Sequence, residues 1–276
     1  MYKVSVNSQV FEGQKIEDVF LYYKVSKKVV NSLFSNKRIF INDIYANKDE
    51  IINGNESVYF VDDEINLIPY NFKINILFEN NYILIVNKPA NILIHSDGTT
   101  YETLQNAVYN YLIKTKQNKF CQAVHRLDYE TTGIVIFAKN SLALSYLSYK
   151  FEHGEIFKQY VCLVRGKINP KEGTINLPIS KDRHSNKQIV YKKGKPAITY
   201  YKTTNYNNGI SKLSIKIING RKHQIRVHLS SIGYAIIGDK VYANDNSTSL
   251  KLHCKKVEFV EPENLKNICI ECNETF

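Results

Sequence analysis

The run His125-Arg126-Leu127-Asp128-Tyr129-Glu130-Thr131-Thr132-Gly133 constrains this chain more than any other segment. It sets a carboxylate among cationic side chains and leads straight into a strand. Residues 134–139, Ile-Val-Ile-Phe-Ala-Lys, are short, β-branched and aromatic, and are bounded by Gly133 and Asn140, the pattern of a buried strand. Thr-Thr-Gly reads as the turn before it. Asp128 is therefore expected on a loop entering a rigid element, where reactive groups concentrate because the scaffold fixes them and the loop keeps them reachable. Taken alone, the segment equally describes a plain turn in which Asp128 bonds its own backbone.

Charge supplies the next constraint. Thirty-seven Lys and Arg against 26 Asp and Glu leave a net charge of +11, and a pI of 9.2 makes a polyanion the natural partner. A 276-residue chain that is 43% hydrophobic can bury one large domain and a small one. No stretch approaches roughly 18 consecutive apolar residues, and MYKVSVNSQV lacks the apolar core of a secretory signal, so a cytoplasmic protein with no membrane partner is expected. Five cysteines, at 121, 162, 254, 269 and 272, form no disulfide framework and read as reduced thiols. Cys269-Ile-Glu-Cys272 is a lone C-x-x-C without the second ligand pair that zinc requires, so no metal is expected.

Two patterns divide the chain near residue 70. In the first, Ile16, Val19, Phe20 and Tyr23 recur at helical spacing, and Ser26 caps a second helix expected to bury Val29, Val30, Leu33 and Phe34. Strands at 38–42 and 57–61 follow, with a turn at Asp43. Asp62-Asp63-Glu64 and Pro69 mark a linker, giving units 1–70 and 71–276. In the larger unit, strands at 74–78 and 82–86 precede a helix carrying Leu104, Ala107, Val108, Tyr111 and Leu112, and Asn140 starts another that ends before Gly154. Strands at 157–165, 198–206, 212–218 and 251–259 mostly lack helical crossovers, which predicts an α+β fold around a mixed, mainly antiparallel sheet.

HRLDYETTG resembles the HRLD-x-x-T-S-G motif of the RluA family of RNA pseudouridine synthases, with Thr132 for Ser. Lys88-Pro89-Ala90-Asn91 resembles the family's K-P-x-G turn, and Asn91 is the residue best able to replace Gly in a left-handed conformation. Lys158-Gln159-Tyr160-Val161-Cys162 resembles K-x-Y-x-A. Residues 219–229 resemble G-R-x-H-Q-I-R-x-H-L, residues 233–242 resemble G-x-P-I-x-G-D-x-x-Y with Ala235 for Pro, and Leu252-His253-Cys254 resembles L-H-A. Similarity thus extends over residues 75–262. The order of helices and strands in KVSKKVVNSLFSNKRIFIND resembles the alpha-L, S-four-like RNA-binding module. In that module Lys24, Lys27, Lys28, Lys37 and Arg38 form a phosphate-contacting face whose binding weakens with salt; a solvated helix face is the other reading.

The resemblance implies the pseudouridine synthase fold, an RNA substrate, no cofactor, and Asp128 as the essential acid. It makes Tyr160 the ring that stacks on uracil, Arg226 the partner of Asp128, and Ile225 a support beneath the base. Arg221 and His223, from the same motif, join the substrate-binding set. Lys88 either meets phosphate or shapes the wall of the site, unless it is a surface lysine before a turn proline. His125 either contacts phosphate or fixes its loop by a hydrogen bond. Arg126 either fills the place left by a flipped nucleotide or makes a scaffold ion pair. His223 and His228 lack the carboxylate ligands that would suggest a metal.

Chemistry gives one of these roles independently. Isomerising uridine breaks the bond from N1 to ribose and rejoins the base through C5, so a carboxylate must act on the sugar or on the uracil ring. Burial and nearby phosphates oppose an ionised Asp, and a guanidinium beside it answers both. Arg226 is the candidate. The expected protein is a monomeric RNA pseudouridine synthase acting first on large-subunit ribosomal RNA. The alternatives are a tRNA-directed synthase, a noncatalytic RNA-binding or ribosome-assembly protein, and a glycosidase, which would need a second acid at a defined separation, Glu130 being the only one near.

Overall fold

Alternating apolar residues and a tight turn build a small N-terminal sheet in the computed structural model, which describes residues 1–185, 187–218, 220–246 and 248–276. Asn219, at the head of the second motif, lies outside the described residues. Strands β1 (Tyr2–Val6), β2 (Ile39–Ile41), β3 (Ile44–Tyr45) and β4 (Val58–Asp62) pair antiparallel in the order β1-β4-β2-β3. Asn42 and Asp43, at φ 48° and 64°, make the two-residue turn between β2 and β3. Helix α1 (Ile16–Tyr22) buries Ile16, Val19 and Phe20, and the Phe20 ring meets Phe60 of β4 edge-on at 5.7 Å. Ser26 caps α2 (Lys27–Ser35) by accepting from the Val29 amide. Val29 itself is 48% exposed, contrary to expectation, because α2 turns only Val30 fully inward and rests Leu33 and Phe34 at the margin.

The second sheet is the body of the protein. Its chain order is β5 (Asn75–Glu79), β6 (Ile83–Lys88), α3 (Leu104–Lys114), β7 (Gln122–Ala123), β8 (Thr132–Ala138), α4 (Ser141–Glu152), β9 (Phe157–Arg165) and β10 (Glu172–Asn176). There follow β11 (Ile179–Lys181), β12 (Gln188–Val190), β13 (Ile198–Asn207), β14 (Ile210–Ile217), α5 (Gln224–Ser231), β15 (Leu252–Val260) and β16 (Asn267–Glu271). The path runs β10-β13-β14-β9-β15-β8-β6-β5, with β16 on β15 and β7 on β8, while β11 and β12 make a separate hairpin. Only β8 and β15 pair parallel among the described strands, so the sheet is mixed and mainly antiparallel, as expected for an α+β fold. β1, β10, the β11–β12 hairpin and β16 were not anticipated; most are short or half-exposed and carry little periodic signal.

The parallel pair explains a glycine. Gly133 is part of β8 rather than of a turn before it, at φ +112°, and a Cβ there would lie 2.3 Å from the Cys254 carbonyl oxygen on β15. Only glycine lets the two backbones approach where the Asp128 loop joins the sheet.

The N-terminal sheet is fastened to this body. The Tyr23 hydroxyl donates to the Pro262 carbonyl at 2.6 Å, the Tyr82 hydroxyl to Ser5 at 2.8 Å, and the Ser141 amide to Asp62 at 2.8 Å. Tyr23 packs its ring on Tyr82 and Tyr146, so one apolar core runs from Val4 and Phe20 into the large sheet. The connecting segment lies against α3 and the residues after it, with Ile65 bonded to Lys119 and the Ile68 carbonyl accepting from Asn106.

Candidate active site

The loop that carries Asp128 is held from behind by a buried cation. Lys88 ends β6 fully buried and donates to the carbonyls of Pro89, Tyr129 and Thr131 at 2.9, 2.9 and 2.7 Å. Three carbonyls need the three hydrogens of an ammonium. Burial draws the Lys88 pKa down to about 7, while the charge of Asp128 acts to raise it. Asn91 adopts the left-handed conformation its turn requires, φ 61°, and donates its amide to Tyr129. The lysine expected at a phosphate or on the surface is thus a clamp on residues 129–131, and it does not line the pocket described below.

His125 also serves the loop. Its Nε2 accepts the Ile136 amide of β8 at 3.2 Å and its ring stacks on Phe151 at 4.6 Å. Burial, helped by the nearby Lys158 charge, takes its pKa down to about 3, which keeps the ring neutral and able to accept. The geometry is that of the loop-fixing alternative, not of a phosphate contact.

Between these anchors Asp128 projects forward, its side chain 17% exposed. Among the described residues its carboxylate makes no hydrogen bond to its own turn, which is closed instead by the Thr131 amide on the Asp128 carbonyl. Across the pocket α5 begins at His223, whose left-handed φ of 54° turns the chain into the helix. Gln224 ties this start down, accepting from the Arg221 amide and donating to Ile198 and Thr199. The first turn then presents Ile225 and Arg226. Further along the helix, His228 is a buried strut between Thr199 and the Leu177 carbonyl.

Arg226 is almost wholly buried and meets three carboxylates. Its Nη1 stands 3.6 Å from Asp128 Oδ2, its Nη2 3.4 Å from Glu130, and its Nε and Nη2 each 2.8 Å from Asp239. The two-point carboxylate bond expected for Asp128 therefore belongs to Asp239, and Asp128 receives a single edge of the guanidinium. The reason is steric and electrostatic. Asp239 is fully buried, its Oδ1 also accepts the amides of Val241 and Tyr242, and a buried carboxylate needs the closer pairing. Burial alone works against both charges, yet their mutual bonds raise the Arg226 pKa and lower that of Asp239.

In the sequence Asp239 is only part of the segment 233–242. Its local signal was Gly238-Asp239 at a turn, with nothing to announce a partner 13 residues away. Tyr242, from the same segment, lies 5.6 Å from the Arg226 guanidinium and bonds His223 Nδ1 at 3.0 Å. The other ring nitrogen of His223 is 4.0 Å from Asp128, and burial lowers its pKa despite that charge.

One pocket gathers Asp128, Tyr160, Ile225 and Arg226 with Arg126, Arg221 and His223. Tyr160 comes from β9, 6% exposed, and burial, with Cys254 beside it, pushes its phenol well above the usual range, so it is an uncharged ring. Arg126 makes no ion pair among the described residues and lines the pocket. Arg221 donates Nε to the Pro196 carbonyl at 3.1 Å while lining the pocket. A pocket lined by the Tyr160 ring and Ile225 together with an acid and a guanidinium suits a planar base attached to a sugar.

Residues 82–231 match the RNA pseudouridylate synthase family. The chain belongs to that family. It is 36% identical over 251 residues to the uncharacterized RNA pseudouridine synthase YhcT of Bacillus subtilis, covering 87% of this chain and 82% of that protein. It is 32% identical over 257 residues to ribosomal large subunit pseudouridine synthase D of Buchnera aphidicola subsp. Acyrthosiphon pisum, covering 88% and 81%. Human RNA Pseudouridylate Synthase Domain Containing 1 has the same fold, with a TM-score of 0.63 at 23% identity over 74% of this chain and 84% of that one. The synthase is therefore an RNA-directed isomerase, as its RluA-type motifs implied. No helix among the described residues is long and apolar enough to cross a membrane.

In the synthase, Asp239→Asn leaves the buried guanidinium short of its closest charge. Unfolding in urea should show a loss of about 3 kcal/mol. A loss below about 0.5 kcal/mol, the range of an ordinary surface change, would mean that the pair does not hold the site together.

Proposed function

We propose that this synthase converts uridine to pseudouridine in large-subunit ribosomal RNA, with Asp128 as the reacting carboxylate. The observation that carries the reading is a carboxylate free of its own backbone, open to a pocket and edged by the Arg226 guanidinium at 3.6 Å. Relatives covering most of the chain are named for the large ribosomal subunit, which supports that substrate before tRNA. In the reaction the N1–C1′ bond breaks, C5–C1′ forms, C5 gives up its proton and N1 gains one. No electrons are exchanged with another molecule, so the chemistry calls for no cofactor.

The base must leave its stack, at a cost of a few kcal/mol. Stacking on Tyr160 offsets about 1 to 3 kcal/mol of this, and Ile225 supports the opposite face. Arg126, exposed and unpaired among the described residues, takes the place of the flipped nucleotide, while Arg221 and His223 border the sugar and phosphate. Arg226 offers Asp128 a counter-charge as RNA covers it. The protein acts as a monomer in the cytoplasm.

Residues 1–70 serve as an S-four-like RNA-binding module, presenting Lys27 and Lys28 from the exposed first turn of α2. Of its other cations, Arg38 donates from Nη1 to both oxygens of Asp63 at 2.9 Å, and Lys24 and Lys37 lie over Tyr149 and Tyr45. Because the module shares the apolar core, charge changes test it better than truncation does.

Carbodiimide mapping of RNA from cells carrying Asp128→Asn protein should show loss of a pseudouridine in large-subunit RNA. Loss from tRNA instead would overturn the substrate, and persistence of every site would overturn the role of Asp128. Lys27→Gln with Lys28→Gln should make the salt dependence of binding to a large-subunit transcript shallower by about two. An unchanged slope would remove the module from the RNA interface.

A further inference from the structure

A second cavity, of about 300 Å3, opens beside the pocket that holds Asp128. The two share Arg126, Tyr160 and Arg221 as a common wall. The side chain that sets its chemistry is Lys158 on β9, only 8% exposed. Among the described residues the Lys158 ammonium has neither a hydrogen bond nor a carboxylate partner. It lies over the face of Phe151, 4.9 Å to the ring centroid, with the Cys254 thiol nearby. The neighbouring His125 is neutral and already occupied by the Ile136 amide, so it neither balances nor replaces the charge. Among the described residues the acid lining the cavity is Glu152, which is exposed.

An ammonium withdrawn from water without a counter-charge is unfavourable, and burial does lower the Lys158 pKa. Pairing with an anion reverses that cost. The cavity is of the size that admits a small ligand group, and it places two guanidinium groups at its rim beside the ammonium. Alternation along β9 puts Lys158 and Tyr160 on the same face, roughly 7 Å apart. That distance is of the order separating a nucleoside from the phosphate next to it.

We propose that this cavity is a phosphodiester site, in which Lys158, with Arg221 on the shared wall, binds the backbone phosphate adjoining the flipped uridine. The proposal rests on the neighbouring pocket being the uracil site, and it adds a register: one phosphate is docked in a built cavity while the base is held next door. Lys158 is then a substrate-binding residue that acts on affinity and leaves the chemical step to Asp128.

The test is fluorescence anisotropy with labelled heptauridylate between about 50 and 200 mM salt. Lys158→Met keeps the length of the side chain and removes its charge. It should bind roughly tenfold more weakly at the low-salt end, with a slope of log affinity against log salt shallower by about one. Lys158→Arg should stay within about threefold of the unaltered protein. On an RNA substrate the Met variant should raise KM and leave kcat within about threefold. Lys158→Gln replaces Met if the latter fails to fold. An unchanged affinity and slope in the uncharged variant overturns the proposal, as does failure of the unaltered protein to bind heptauridylate at low salt. Turnover by Asp128→Asn protein is read separately, so the catalytic reading can fall while the phosphate site stands, or the reverse.

Discussion

The closed fork between Arg226 and Asp239 is the contact on which the rest of the site depends. A buried guanidinium in the first turn of a helix is poorly placed, since the helix dipole already makes that end positive. Asp239 cancels this, and because its own oxygen accepts two backbone amides it cannot swing away. What remains of Arg226 is one edge, directed at Asp128 and Glu130. The division is useful chemically. A carboxylate locked in a two-point ion pair would be held back from reacting, whereas one touched at 3.6 Å is stabilised and still free to move.

The opposing half of the site is rigid for a different reason. Among the described residues the Asp128 carboxylate makes no hydrogen bond, so its position is set chiefly by the backbone around it. Lys88 ties down residues 129 and 131, His125 is pinned to β8, and Gly133 allows β8 to lie against β15 where a side chain would collide. Two of these devices are buried polar groups, and Lys88 makes two of its three hydrogen bonds to this loop, so displacing the loop would leave them unsatisfied. The acid is thereby positioned with its oxygens left available.

Much of this was legible from the residues. The Asn140 cap and the helix after it follow from local capping rules, while the left-handed Asn91 and the Tyr160 strand follow from the motifs their segments resemble. What was not legible depends on distance along the chain. Lys88 looks like a surface lysine until the carbonyls of residues more than forty positions away surround it. Asp239 looks like a turn aspartate until α5 brings Arg226 beside it. Lys158 carried a motif but no partner, and its isolation becomes visible only when β9, α4 and the Arg126 loop enclose one cavity. Val29 was assigned inward by periodicity, but a helix at the rim of a small module buries a narrower stripe than one inside a large core.

The central claim, that Asp239 acts on catalysis through Arg226, is tested most directly by a double-mutant cycle on the single-turnover rate of pseudouridine formation. Arg226→Lys and Asp239→Asn are measured singly and together. If one residue works through the other, the double variant is slowed no more than the slower single variant. Losses that multiply would show two independent contributions and contradict the account.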